Sequence, residues 1–87
     1  MNRQQVLSIA EDYITKDRAA THGEAENNFA NIAALWSICL GTEVSMKQVA
    51  LMMVLLKVAR EAQNDNPEHY DNFVDMVGYA ALGAELS

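Results

Sequence analysis

The stretch VALMMVLLKVAR, residues 49–60, decides how this chain folds. From Val49 to Leu56 every residue is apolar, and no Gly or Pro interrupts the run. A membrane-spanning helix needs roughly 20 such residues, so the run predicts a buried helix of a globular domain and no membrane partner. Because the run is apolar on nearly all sides, the remaining helices of a small monomer could hardly cover it, and a homo-oligomer is expected. Met52 and Met53 equally suit the filling of irregular gaps in a core.

Working outward, Ser45 and Gln48 have the spacing of a capping box, so the helix starts there and continues to about Ala62. Upstream, Phe29, Ile32, Ala33, Trp36, Cys39 and Leu40 predict a helix over about 24–40, with these residues buried and Gly41 closing it. Thr21 is expected to cap that helix, and Gly23 to supply a positive φ in the loop before it. Val6, Ile9, Ala10, Tyr13 and Ile14 recur at helical steps and predict a first helix over about 2–18. Downstream lies EHYDNFVDMVGYAALGAEL, residues 68–86, read as a fourth helix capped by Asn66 with Pro67 and Glu68 in its first turn. No segment alternates apolar and polar residues over a strand's length. The expected fold is a single all-α domain over residues 1–87, a four-helix up-and-down bundle or half of a larger one.

Composition narrows function by exclusion. Six Lys and Arg stand against 12 Asp and Glu, a net charge of -6, which disfavours a nucleic-acid partner because such affinity rests on neutralising phosphates. Cys39 is the single cysteine, expected to be an inert core thiol in a reducing compartment. The opening MNRQQVLSIAEDYITKDR contains no continuous apolar segment of the signal-peptide kind, so a cytoplasmic location is expected. His22 and His69 have no second His or Cys at metal-ligand spacing.

The polar residues on helix faces carry what chemistry there is. Lys57 and Arg60 leave one face of the third helix, while Asp71, Asp75, Gly78 and Tyr79 lie along the fourth. One reading is a structural salt-bridge cluster between the basic and acidic pairs, which at a surface contributes little. The other is a ligand site. Lys57 and Arg60 would bind phosphates, Tyr79 or Trp36 would stack on a base, and Asp71 and Asp75 would hold Mg²⁺ if the site uses a metal. THGE, residues 21–24, opens a helix whose N-terminus could receive a phosphate with help from Arg18 and His22, although a plain capping turn accounts for it as well.

THGEAENNF, IAALWSICLG, VALMMVLLKVAR and DNFVDMVGYAALGAEL, taken in order, resemble a family of short phage- and prophage-encoded helical domains of uncharacterised function. More distantly, NFVDMVGYAAL is similar to the second acidic helix of the MazG-like all-α nucleoside triphosphate pyrophosphohydrolases, with its Glu-x-x-Asp pattern followed by an apolar run with Tyr. That resemblance implies a MazG-like bundle, a metal-binding role for Asp75 and a match for Tyr79. Asn72 stands where the family has Glu, and the preceding helix carries Lys57 and Arg60, with Glu61 beyond them, where the family has a Glu-x-x-Glu pair. The carboxylates needed for Mg²⁺-dependent hydrolysis are thus incomplete. The expected function is binding of a nucleotide or nucleotide-derived signal without hydrolysis and without a cofactor, in the host cytoplasm if the protein is phage-encoded. The alternatives are a reduced MazG-like pyrophosphohydrolase using Mg²⁺ and a structural or partner-binding helical oligomer.

Overall fold

The computed structural model describes residues 1–15 and 22–86, the first six of the second stretch by their backbone alone. It contains four helices, α1 (Arg3–Thr15), α2 (His22–Leu40), α3 (Met46–Ala62) and α4 (Asp71–Glu85), and no strand among the described residues. The all-α expectation holds. α3 and α4 form the principal contact, α1 lies on α4, and α2 lies on α3.

Local chemistry explains most boundaries. The Ser45 hydroxyl accepts from the Gln48 amide at 3.1 Å while the Gln48 side chain accepts from the Ser45 amide at 2.9 Å, so α3 begins with the anticipated capping box. Asn2 and Gln5 make the same reciprocal pair at the start of α1, at 2.9 and 2.8 Å. Gly41 closes α2 at φ 70°, a conformation that favours glycine. Between α2 and α3, the Ser37 hydroxyl donates to the Ala33 carbonyl at 2.6 Å and accepts from the Val44 amide at 2.8 Å, tying the connection to the preceding helix.

Several boundaries depart from the sequence reading. α2 starts at His22, so Gly23 is helical and supplies no positive-φ turn; Thr21 and residues 16–18 of the expected first helix lie outside the described residues. α4 begins at Asp71, after Tyr70, and Asn66 does not cap it. The competing local bonds are visible: the Asn64 side chain accepts from the Asn66 amide at 3.0 Å and the Asn66 side chain from the Glu68 amide at 2.9 Å. These short side-chain turns hold residues 64–68 out of the helix.

The core is small. Phe29, Ala33, Val44, Val49, Ala50 and Leu82 are buried together, with Ile14, Ile32, Trp36, Met53 and Tyr79 packed around them. Of the faces read as buried, α1 contributes Ala10 fully and α2 contributes Phe29 and Ala33. Leu40 and Cys39, expected in the core, are exposed. Both stand in the last turn of α2, beyond Trp36, the last residue of that helix packed against the core.

Candidate functional site

α3 and α4 run antiparallel, as three contacts along their length show. Near the connecting turn, the buried Asn72 amide donates to the Glu61 carboxylate at 3.2 Å. One helical turn further, Lys57 Nζ meets Asp75 Oδ2 at 2.9 Å. Toward the other end Gly83 sits so close to Ala50 that a Cβ there would lie 2.9 Å from the alanine's own. Lys57 and Glu61 are four apart on α3 and Asn72 and Asp75 three apart on α4, the spacings that put both pairs on facing stripes. Glu61 also accepts from the Asn64 side chain at 3.3 Å, so two amides satisfy it.

The Lys57–Asp75 pair opens onto a cleft of about 200 Å³ between α1 and α4, lined by Tyr13, Ile14, Val74, Gly78, Tyr79 and Leu82. The lysine side chain is 15% exposed and the aspartate 31%, so this ion pair is partly shielded from water. Gly78 is buried beneath Ile14, with 3.4 Å between its implied Cβ and the isoleucine Cγ2, which lets α1 lie close to α4. The Tyr79 ring packs against Phe29 of α2 with centroids 6.3 Å apart.

The structure therefore brings together Lys57, Asp75 and Tyr79 of the expected site and adds Tyr13, which the sequence had placed only on a packing stripe. Arg60 and Asp71 do not join them. Both are exposed, and neither takes part in the Lys57–Asp75 pair. Asp71 stands instead in the first turn of α4, where the positive end of the helix dipole favours a carboxylate. Of the two acids on the α4 stripe, one thus neutralises a lysine and the other complements a helix end. Trp36 packs in the core away from the cleft. Arg18 and the side chain of His22 lie outside the described residues.

Among the described residues the carboxylates do not converge on a shared Mg²⁺ site. Asp75 is engaged by Lys57, Asp71 faces solvent and Glu61 is held by amides. Among the described residues no three His, Cys, Asp or Glu side chains converge as metal ligands. The aligned residue that sequence reasoning noted only as a departure, Asn72, is the most deeply buried polar side chain described, at 5% exposure. Its position on the inner stripe three residues before Asp75 was the signal for that role.

Fold and site together define a small all-α domain with a partly shielded ion pair at an inter-helix cleft. Among the described residues no helix is long and apolar enough to cross a membrane. The chain belongs to the DUF6378 family, a domain of unknown function whose model matches residues 5–87. It is similar to the Gene 55 protein of Mycobacterium phage L5, with 41% identity over 78 residues, covering 88% of this chain and 49% of that protein. It is also similar to the Gene 55 protein of Mycobacterium phage D29, with 38% identity over 77 residues, covering 88% of this chain and 50% of that protein. The chain thus spans about half the length of these phage relatives. No solved structure matches it.

Proposed function

We infer that this phage-type domain binds a small nucleotide-type ligand at the α1–α4 cleft and does not hydrolyse it, acting in the host cytoplasm. The observation that supports this is the placement of the Lys57–Asp75 pair at a cleft bordered by two tyrosines. Lysine has three N–H donors, and the single contact to Asp75 leaves others for a phosphate. Asp75 uses Oδ2 for the lysine, leaving Oδ1 to accept from a sugar hydroxyl or an exocyclic amine. Tyr13 and Tyr79 offer ring surface to a base. A volume of about 200 Å³ is below the usual range for a whole drug-sized ligand, roughly 300–1,000 Å³, so one moiety enters and the rest stays at the open mouth.

A cation that meets phosphate directly needs no metal between them. Binding should therefore persist in excess EDTA and fall with added salt. Lys57→Ala should weaken it at least about tenfold, the loss of one charge-assisted hydrogen bond, whereas Arg60→Ala should leave it unchanged. Calorimetric titration with mono-, di- and triphosphate nucleosides checks each arm. Absence of binding to every nucleotide tried would remove the reading. Mg²⁺-dependent release of pyrophosphate that disappears in Asp75→Ala would replace it with the MazG-like hydrolase, to which the same stretch of α4 is distantly similar.

A further inference from the structure

We propose, resting on the ligand reading above, that the Lys57–Asp75 pair selects ribonucleotides in which a single phosphate and a free hydroxyl occupy adjacent sugar carbons. That is the arrangement of a ribonucleoside 2′- or 3′-monophosphate. Among the described residues Asp75 has one partner, Lys57, which takes Oδ2 at 2.9 Å. Oδ1 is therefore an unused acceptor beside the ammonium, and an ionised carboxylate has no hydrogen to donate. Among the described residues Lys57 is also the one cation lining the cleft and Asp75 the one anion, so the cleft carries no net positive charge of its own.

A phosphate held by Lys57 brings its oxygens up against Oδ1. The two are like-charged and both acceptors, and in a site partly shielded from water their repulsion is less screened than in bulk. A donor on the ligand beside the phosphate offsets that cost by giving its hydrogen to Oδ1 in a charge-assisted bond. The donor must be close to the phosphate, because Nζ and Oδ2 are 2.9 Å apart and Oδ1 belongs to the same carboxylate. An exocyclic amine of the base does not meet this condition, since the sugar separates it from the phosphate. The 2′-hydroxyl beside a 3′-phosphate does, the two oxygens standing on neighbouring ring carbons. A 5′-phosphate lies one carbon further from its nearest hydroxyl, and a 2′-deoxy 3′-phosphate has no such donor. Charge limits the phosphates to one: a single ammonium already shared with Asp75, in a chain of net charge -6, does not suit a polyphosphate. The one moiety that a cleft of about 200 Å³ admits is then the sugar phosphate.

Calorimetric titration of the parent protein with the 3′-monophosphates of adenosine and guanosine, their 2′-deoxy counterparts and the matching 5′-monophosphates tests this. The 3′-ribonucleotides should bind at least about tenfold more tightly than the deoxy forms and the 5′ isomers, the worth of one charge-assisted hydrogen bond. Asp75→Asn should abolish the preference. Lys57 keeps the amide oxygen, which turns the amide N–H toward the phosphate and removes the repulsion, so ribo and deoxy forms should bind equally well. Circular dichroism shows whether that variant is folded, and if it is not, the ratio of ribo to deoxy affinity in the parent decides alone. A parent that binds nucleotides but holds the ribo and deoxy 3′-monophosphates equally, or prefers the 5′ forms, overturns this inference and leaves the ligand reading standing. A parent that binds no nucleotide at all overturns both. A ribo preference that survives in folded Asp75→Asn overturns the assignment to Asp75.

Discussion

Phe29→Ala is expected to destabilise the domain by about 3–5 kcal/mol, the usual cost of removing a buried aromatic ring. The whole stability expected of 87 residues is only about 4–13 kcal/mol, so the variant should sit near the edge of folding. Phe29 is 6% exposed, belongs to the central cluster and meets Tyr79 across the gap between α2 and α4. α2 rests mainly on α3, which makes this ring one of its few inward anchors. Urea denaturation at a fixed protein concentration, followed by Trp36 fluorescence, measures the loss. A change below about 1 kcal/mol, typical of an unremarkable site, would show that α2 is held by something other than this contact.

Gly83→Val should cost about 3 kcal/mol, at the upper end of what overpacking a tight core usually takes. A Cβ at position 83 would meet the Ala50 Cβ at 2.9 Å, and Ala50 is itself almost wholly buried, so neither atom can swing aside. Valine's better helix propensity recovers only about half a kcal/mol. Gly78→Ala provides the contrast. There the added carbon finds Ile14 at 3.4 Å, ordinary contact, and the propensity gain of about 1 kcal/mol makes that variant neutral or more stable. Thermal melts of the two variants beside the parent should therefore move in different directions. Equal destabilisation at both positions would mean that helix spacing is not what distinguishes the two glycines.

How much of this was readable from the chain depends on where the deciding interaction sits. The cap of α3 was legible because Ser45 and Gln48 bond to each other's backbone, three residues apart. The start of α4 was not. Asn66, Pro67 and Glu68 have the composition of a helix start, but side-chain turns from Asn64 and Asn66 take the same backbone groups first. The site was half legible for a similar reason. Spacing correctly put Asp71 and Asp75 on one stripe and Lys57 and Arg60 on another, but only the packed helices decide which of them meet, and Lys57 and Asp75 do. Cys39 shows the limit of periodicity most plainly. The helical pattern placed it among buried residues, whereas the core reaches along α2 only as far as Trp36 and leaves the last turn exposed.

The three contacts between α3 and α4 also fix their register. Sliding α4 by one turn, about 5.4 Å, in one direction would set Asp75 opposite Glu61 and bring the bulk of Leu86 toward Ala50. Sliding it in the other would leave Lys57 facing the Asn72 amide and press the Tyr79 ring where Gly83 now fits. Each displaced arrangement joins like charges or forces a large side chain into a gap made for a hydrogen atom. The hairpin is therefore keyed, like a lock with three wards, and cannot act as a ratchet of the kind in which one helix jumps a turn past another. Whatever enters the cleft on the far side of α4 meets a wall already set at its final height.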